Sequence, residues 1–301
     1  MKTYEVIIIG SGPAGITAGI YAKNFDLDCL IIGKREGGLV NSAYKVENYP
    51  GIFNISGKEL TKKFIAHQKH LKVPFKKERV EAIEKTGNFF KLLTNKNKYQ
   101  AKTLVLTFGT EPQKIKIKNL GKFENKGVYY QLGDNAFLFK NKIVAVIGGA
   151  NSAVMTAIML TEIAKKVYLI YRKDRLRADA IWINRIKKCK NIEIIYRTNI
   201  VDLKGKNKLK EIILDNGKKL KIDGLFIGAG VVPNTFLIRN LGIKIDKNGY
   251  VKVDKTQATN TKGIFAAGDI TTGSNEFRQI ITACAEGAIA VLGVFNYLNK
   301  K

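Results

Sequence analysis

YEVIIIGSGPAGITAGIYAKN (residues 4–24) sets an apolar run directly against Gly10, Gly12 and Gly15, spaced G-x-G-x-x-G, and then a helix-forming run. A second stretch, KIVAVIGGANSAVMTAIML (142–160), repeats the pattern with Gly148, Ala150 and Ala153 at the same spacing. Turns of this kind let backbone approach a pyrophosphate, and the helix that follows offers its free N–H groups and positive end. One such turn is a weak signal. Two in one chain imply two dinucleotides, and the ordinary reason to hold two is to pass electrons between them.

Outward from these turns the chain reads as alternating strand and helix. The first unit runs strand 4–9, helix 14–24, strand 27–32, an irregular stretch 33–52, helix 57–70, and strand-like segments around 73–83, 88–94 and 98–107. TLVLTFGTEPQ (103–113) reads as a buried strand ending at Gly109, with Pro112 stopping it. The second unit starts at Lys142 with strand 143–147, helix 152–164, strand 167–171, helix 178–188 and strand 192–196. A hairpin over 209–222 turns at Asp215-Asn216-Gly217. GLFIGAGVVPNT (224–235) and GIFAAGDI (263–270) each run a strand into glycines, and an apolar helix over 277–298 ends the chain. No low-complexity linker separates the units. The expected fold class is α/β: two Rossmann-like, doubly wound, three-layer dinucleotide-binding domains, the second inserted in the first.

At 301 residues the chain can bury two cores. No apolar run is read as reaching the ~18–20 residues of a membrane span, so no membrane is expected. Cys29, Cys189 and Cys284 follow no metal or redox spacing, which fits packing thiols in a reducing cytoplasm. The net charge of +27 suits an acidic partner. Equally, it comes from lysines scattered along a chain rich in Asn and Ile, as AT-rich codon usage would give. No basic arm, aromatic-interleaved Arg stripe or nucleic-acid motif is present, so nucleic acid is not expected as a partner.

Four segments together resemble the low-molecular-weight thioredoxin reductase family of flavoproteins along nearly the whole chain. They are GSGPAG (10–15), VENYPG (46–51), the second glycine turn (148–153) with YRKDRLR (171–177), and AAGD…FRQ…AEGA (266–288). The resemblance implies an FAD-binding domain over 1–112 and 244–301, an NAD(P)-binding domain over 113–243, a two-stranded hinge near 112–114 and 243–245, and a homodimer. FAD would be held by Gly10, Ser11, Gly12, Pro13, Ala14, Gly15, Gly33, Lys34, Gly38, Leu39, Asn48, Val80, Gly109, Gly268, Asp269, Arg278 and Gln279. Asn48 could equally be a turn former before Pro50, and Asp269 an N-cap. The helix from about 277 would aim its positive end at the pyrimidine side of the flavin.

NADPH would be held by Gly148, Gly149, Ala150, Asn151, Ser152, Arg172, Lys173, Arg177 and Gly230. Basic residues after a strand tip that carries no acid favour a 2′-phosphate. Tyr171 and Lys173 depart from the family's His-Arg-Arg, and the methyl of Ala150 is expected to crowd the pyrophosphate. The family's redox Cys-x-x-Cys is missing: the aligned stretch reads Gln131-Leu132-Gly133-Asp134. Without a thiolate there, no mixed disulfide forms by the usual route. Asp134 is a candidate proton donor or barrier at the flavin, or else a helix cap. No metal site is expected.

The function expected is therefore FAD-dependent transfer from NADPH to a non-disulfide acceptor: O₂, a quinone, a free flavin, or an acidic carrier such as ferredoxin or flavodoxin. Two other readings stand beside it. One is a flavoprotein that exchanges electrons with ferredoxin without NADPH; the other is a non-catalytic flavin-binding redox sensor.

Overall fold

The computed structural model describes residues 2–43 and 45–299, with backbone alone at 133–135. It runs β1 (Thr3–Ile9), α1 (Pro13–Asn24), β2 (Cys29–Gly33), α2 (Gly57–His70), β3 (Phe75–Lys77), β4 (Val80–Thr86), β5 (Phe89–Thr94), β6 (Lys98–Leu106) and β7 (Thr110–Pro112). Next come α3 (Leu120–Phe123), β8 (Val128–Tyr129), β9 (Ile143–Ile147), α4 (Asn151–Thr161), β10 (Lys166–Ile170), α5 (Ala180–Ile186) and β11 (Ile192–Ile195). The chain closes with β12 (Ile200–Lys204), β13 (Glu211–Leu214), β14 (Lys219–Lys221), β15 (Gly224–Ile227), β16 (Val231–Pro233), β17 (Ile264–Ala266) and α6 (Ile280–Asn299).

Two compact units result: Met1–Glu111 with Val232–Lys301, and Pro112–Val231. In the first, β3-β2-β1-β6 lie parallel, β17 continues the parallel set beside the C-terminal end of β6, and β5 and β4 extend it antiparallel from the N-terminal end. Strand side chains alternate between two buried faces, as a covered parallel sheet requires. Val6, Ile8, Cys29 and Ile31 pack on Ala14, Ala18 and Ala22 of α1 and on Ala290, Val291 and Val294 of α6. Ile7, Ile9, Leu30 and Ile32 pack on Val80, Ile83, Phe90 and Leu92 from the antiparallel strands.

The second unit repeats this plan. Its parallel sheet is ordered β11-β10-β9-β15-β8, with a separate antiparallel sheet β12-β13-β14. Val144, Val146, Val167 and Leu169 face Ala153, Val154, Ala157 and Leu160 of α4, while Ala145, Ile170 and Leu225 face Leu203, Ile212 and Leu214. The turn at 215–217 closes the expected hairpin, with Gly217 at φ +81°.

Three expectations need correction. The chain returns to the first unit at Val232, not near 244. The reason is packing: Ile238 and Leu241, in a 3₁₀ turn over Phe236–Leu241, are buried in the first unit's core. Pro112 does not stop a long strand; β6 ends at Leu106, and Pro112 closes β7, which pairs with β16 where the chain passes between units. Finally, α6 starts at Ile280, later than expected, and its 20 residues are long and apolar enough by length and composition to cross a membrane, with mean hydropathy 1.6. Here it is a core helix, burying Ala283, Cys284, Gly287, Ala290, Val291 and Val294.

Candidate functional site

The first glycine turn is built for close approach. Gly10 sits at φ +119°, and a Cβ there would lie 2.3 Å from the Thr107 carbonyl oxygen; a Cβ on Gly15 would lie 2.1 Å from the Gly10 oxygen. The Thr107 hydroxyl donates to the carbonyls of Ile9 and Gly10, both at 3.1 Å, fixing the strand ends around the turn. Gly12 is the N-cap of α1, so no side chain occupies its first-turn N–H groups, and Pro13 follows at the start. By contrast, Ser56 and Glu59 close the N-terminus of α2 with a reciprocal capping box. The difference leaves α1 with donors and a positive end free for an anion.

A cleft of about 920 Å³ opens in front of that end, wholly within the first unit. Gly10, Ser11, Gly12, Pro13, Ala14, Gly33, Lys34, Gly38, Leu39, Val80, Gly109, Gly268, Asp269, Arg278 and Gln279 all line it. Gly15 lies beneath the turn. Asn48 reaches the cleft indirectly, its Nδ2 donating to Oε1 of Gln279 at 2.9 Å. A Cβ on Gly33 would fall 2.4 Å from Ser11 Oγ, and one on Gly38 would fall 3.0 Å from Gly12 Cα, so both keep the wall thin.

The far wall is held by a buried acid. Glu286 of α6 accepts from the Gly268 N–H at 2.7 Å, the Thr271 hydroxyl at 3.0 Å and the Ser274 hydroxyl at 2.6 Å. Asp269 beside it has its carboxyl pushed above the usual range by burial, with Arg278 opposing the shift and Glu286 adding to it. Arg278 lies over the Tyr250 ring at 3.7 Å and donates from Nε to the Asp269 carbonyl at 3.3 Å. Its Nη2 is buried, makes no hydrogen bond among the described residues, and lies 3.8 Å from the Glu276 carboxylate as an ion pair.

Sequence reading missed about half of this lining, among it the polar and aromatic side chains of Arg35, Glu78, Arg79, Glu81, Glu111, Asn234 and Phe236. Asn234 and Phe236 fell in the wrong domain because the second crossing was set too late. Their signal was available in the Pro-Asn-Thr that ends 224–235. Nothing in the spacing of Glu78 announces it, since its partners come from the next hairpin.

The second turn sits in the other unit. Gly148 has φ +132°, and a Cβ there would meet the Gly228 oxygen at 2.3 Å; a Cβ on Gly149 would press into the Tyr171 ring at 2.5 Å. Ala150 is exposed and extended (φ −98°, ψ 178°) and is the N-cap of α4, as Gly12 is for α1, so this backbone turn does not itself need glycine there. Asn151 and Asp179 pair reciprocally, Asn151 Nδ2 to Asp179 Oδ2 at 2.8 Å and Asp179 N to Asn151 Oδ1 at 2.7 Å. Ser152, Arg172, Lys173 and Arg177 are exposed, and Gly230, at φ +100°, accepts from the Gln113 N–H at 2.9 Å. Gly133–Phe139 is a 3₁₀ turn, but the side chain of Asp134 lies outside the described residues.

The pattern of the family described as pyridine nucleotide-disulphide oxidoreductase matches residues 4–287. Thioredoxin reductase of Borreliella burgdorferi is 36% identical over 303 residues, 98% of this chain and 92% of that one. A crystal structure of Lactococcus lactis thioredoxin reductase superposes with a TM-score of 0.93 at 32% identity, covering 98% of this chain and 99% of its own. A ferredoxin-flavin thioredoxin reductase from Clostridium acetobutylicum matches at 30% identity and TM-score 0.56, covering 99% of each chain. The chain belongs to the pyridine nucleotide-disulphide oxidoreductase family, as an oxidoreductase of the thioredoxin reductase type.

Proposed function

We propose that this protein holds FAD in the cleft of its first unit and NADPH on the second glycine turn, and delivers the electrons to an acceptor other than a disulfide. The observation that carries the reading is the pair of glycine turns, each ending in a helix N-terminus that no side chain caps. FAD, when bound, supplies the relay between a two-electron donor and the acceptor. The N–H groups of Gly12, Ala14 and Gly15 would face its pyrophosphate, Pro13 having none to donate. Gly33, Lys34, Gly38, Leu39 and Val80 would line the adenosine end. Gly109, Asp269, Arg278 and Gln279, with Asn48 behind Gln279, would bound the rest. Gly148 to Ser152 would take the NADPH pyrophosphate, and Arg172, Lys173 and Arg177 its 2′-phosphate, with Gly230 at the neighbouring strand end. Asp134 we keep as a candidate proton donor.

The non-disulfide acceptor follows from the cysteines. They stand only at 29, 189 and 284, and none pairs with another as Cys-x-x-Cys. Cys29 is pushed up to about 11 by burial, and burial likewise raises Cys284, so neither supplies much thiolate near neutral pH. The exposed apolar side of α6, with Ile281, Ile289 and Leu292, is the face we assign to a second copy in a homodimer.

A second reading, an NADPH-independent flavoprotein fed by ferredoxin or flavodoxin, is favoured by the Clostridium acetobutylicum neighbour and by the net charge of +27. One experiment separates the two. Purified protein is mixed anaerobically with NADPH while flavin absorbance is followed. Rapid bleaching is expected; bleaching by reduced ferredoxin but not by NADPH would replace the first reading with the second. Inertness to both would favour a sensor, and a colourless folded protein that takes up no FAD would sink all three.

A further inference from the structure

We propose that Tyr171 is a positioning residue for the 2′-phosphate of the nicotinamide nucleotide, acting through Arg177. This rests on the assignment of NADPH to the second unit. Three contacts, all within that unit, carry it. Arg177 Nε donates to the Tyr171 hydroxyl at 2.9 Å, the Arg177 backbone N–H donates to the Gly149 carbonyl at 2.6 Å, and the Tyr171 ring lies flush under Gly149, where a Cβ would come within 2.5 Å.

Tyr171 is 5% exposed, while Arg172, Lys173 and Arg177 around it are exposed. Its backbone is fixed at both ends: its N–H donates to Ile195 O at 2.9 Å, and its carbonyl accepts from Thr198 N at 3.3 Å. A buried, anchored phenol therefore holds one edge of an otherwise mobile side chain. An arginine lying free in water surrenders rotamer entropy when it meets a phosphate. Here Nε is already engaged, and the Nη1 and Nη2 edge has no partner among the described residues. That edge is the fork that grips a phosphate with two parallel hydrogen bonds. The same ring supports the turn that would cradle the pyrophosphate, so one tyrosine sets the spacing between the two phosphate subsites.

The test compares binding of 2′,5′-ADP and 5′-ADP to the full-length protein by calorimetry, in the wild type and in Tyr171→Phe, Arg177→Ala and the Tyr171→Phe/Arg177→Ala double variant. The wild type should prefer 2′,5′-ADP. Tyr171→Phe should weaken 2′,5′-ADP by roughly tenfold, the size of one charge-assisted hydrogen bond, and leave 5′-ADP unchanged. The double variant should be no worse than Arg177→Ala alone. A wild type that prefers 2′,5′-ADP, with Tyr171→Phe unaffected, overturns the positioning role and leaves the NADPH assignment standing. Equal losses for both ligands in Tyr171→Phe also overturn it, because the ring would then act only as a support for the turn. No preference in the wild type overturns the NADPH assignment itself.

Discussion

Glu78 shows how a single buried group can serve both stability and the wall of a binding cleft. Its carboxylate accepts from the Thr94 hydroxyl at 2.6 Å, Asn97 Nδ2 at 2.8 Å and the Tyr99 hydroxyl at 2.9 Å, and it lines the cleft just before β4. Burial works against its charge, but the three donors outweigh burial and hold the carboxyl below its usual range. A folded value below the unfolded one means the stabilisation is complete above the unfolded value, ~4.3, and fades as pH falls through the lower folded value. Glu78→Gln presents an amide to a nest of donors and should cost about 1–3 kcal/mol at pH 7. Urea unfolding at pH 7 and near pH 3 should show the gap between wild type and variant shrinking in acid; a gap that stays constant would refute the assignment. Tyr99, pushed up to about 12 by burial and by Glu78, remains a donor throughout.

Between elements, the decisive contact is α1 against α6. Gly287 of α6 lies so close to α1 that a Cβ would stand 2.2 Å from the Ala14 carbonyl oxygen. In an isolated helix Gly→Ala stabilises by ~1 kcal/mol. Here the backbone oxygen cannot give way without lifting α1, and overpacking of this kind costs about 1–3 kcal/mol. Gly287→Ala should therefore lower Tm and reduce the flavin retained on purification, because Ala14 borders the cleft. Gly121→Ala in α3, with no atom within 4 Å of the added methyl, is the matched control and should be neutral or better. If both variants behave alike, close packing at the helix crossing is not what holds the cleft open. The apolar length of α6 is explained at this scale too, since one side covers the sheet and another is the face proposed for a second copy.

For the molecule as a whole, the net charge of +27 governs encounter more than fold. Should the acceptor be an acidic carrier, its second-order rate of reduction should fall at least about tenfold between low salt and ~0.3 M salt, as steered association does. A neutral quinone should show little salt dependence. NADPH-driven thioredoxin reduction should be negligible in the unmodified protein. Robust turnover that disappears in a Cys189→Ser, Cys284→Ser double variant would move the reactive thiol to one of those positions and overturn the non-disulfide assignment.

What the sequence determined by itself is local and steric. Gly10 and Gly148 must be glycine because the chain turns there at positive φ with a carbonyl about 2.3 Å from where Cβ would be. The apolar runs on either side announce buried strands and helices without reference to anything distant. The α/β class and the two glycine turns were therefore legible, and the family resemblance named about half of the residues that line the cleft. What tertiary structure alone decided depends on partners far along the chain. The inserted unit ends at Val231 because Ile238 and Leu241 find their core among residues more than a hundred positions earlier. Glu78, Glu286 and Arg278 have meaning only through the groups that surround them, and Tyr171, in sequence a mere departure from a basic pattern, becomes the support of Arg177 once the strand folds beneath the turn. Backbone conformation is written residue by residue. Burial and hydrogen-bond partnership belong to the assembled unit, and no spacing rule encodes them.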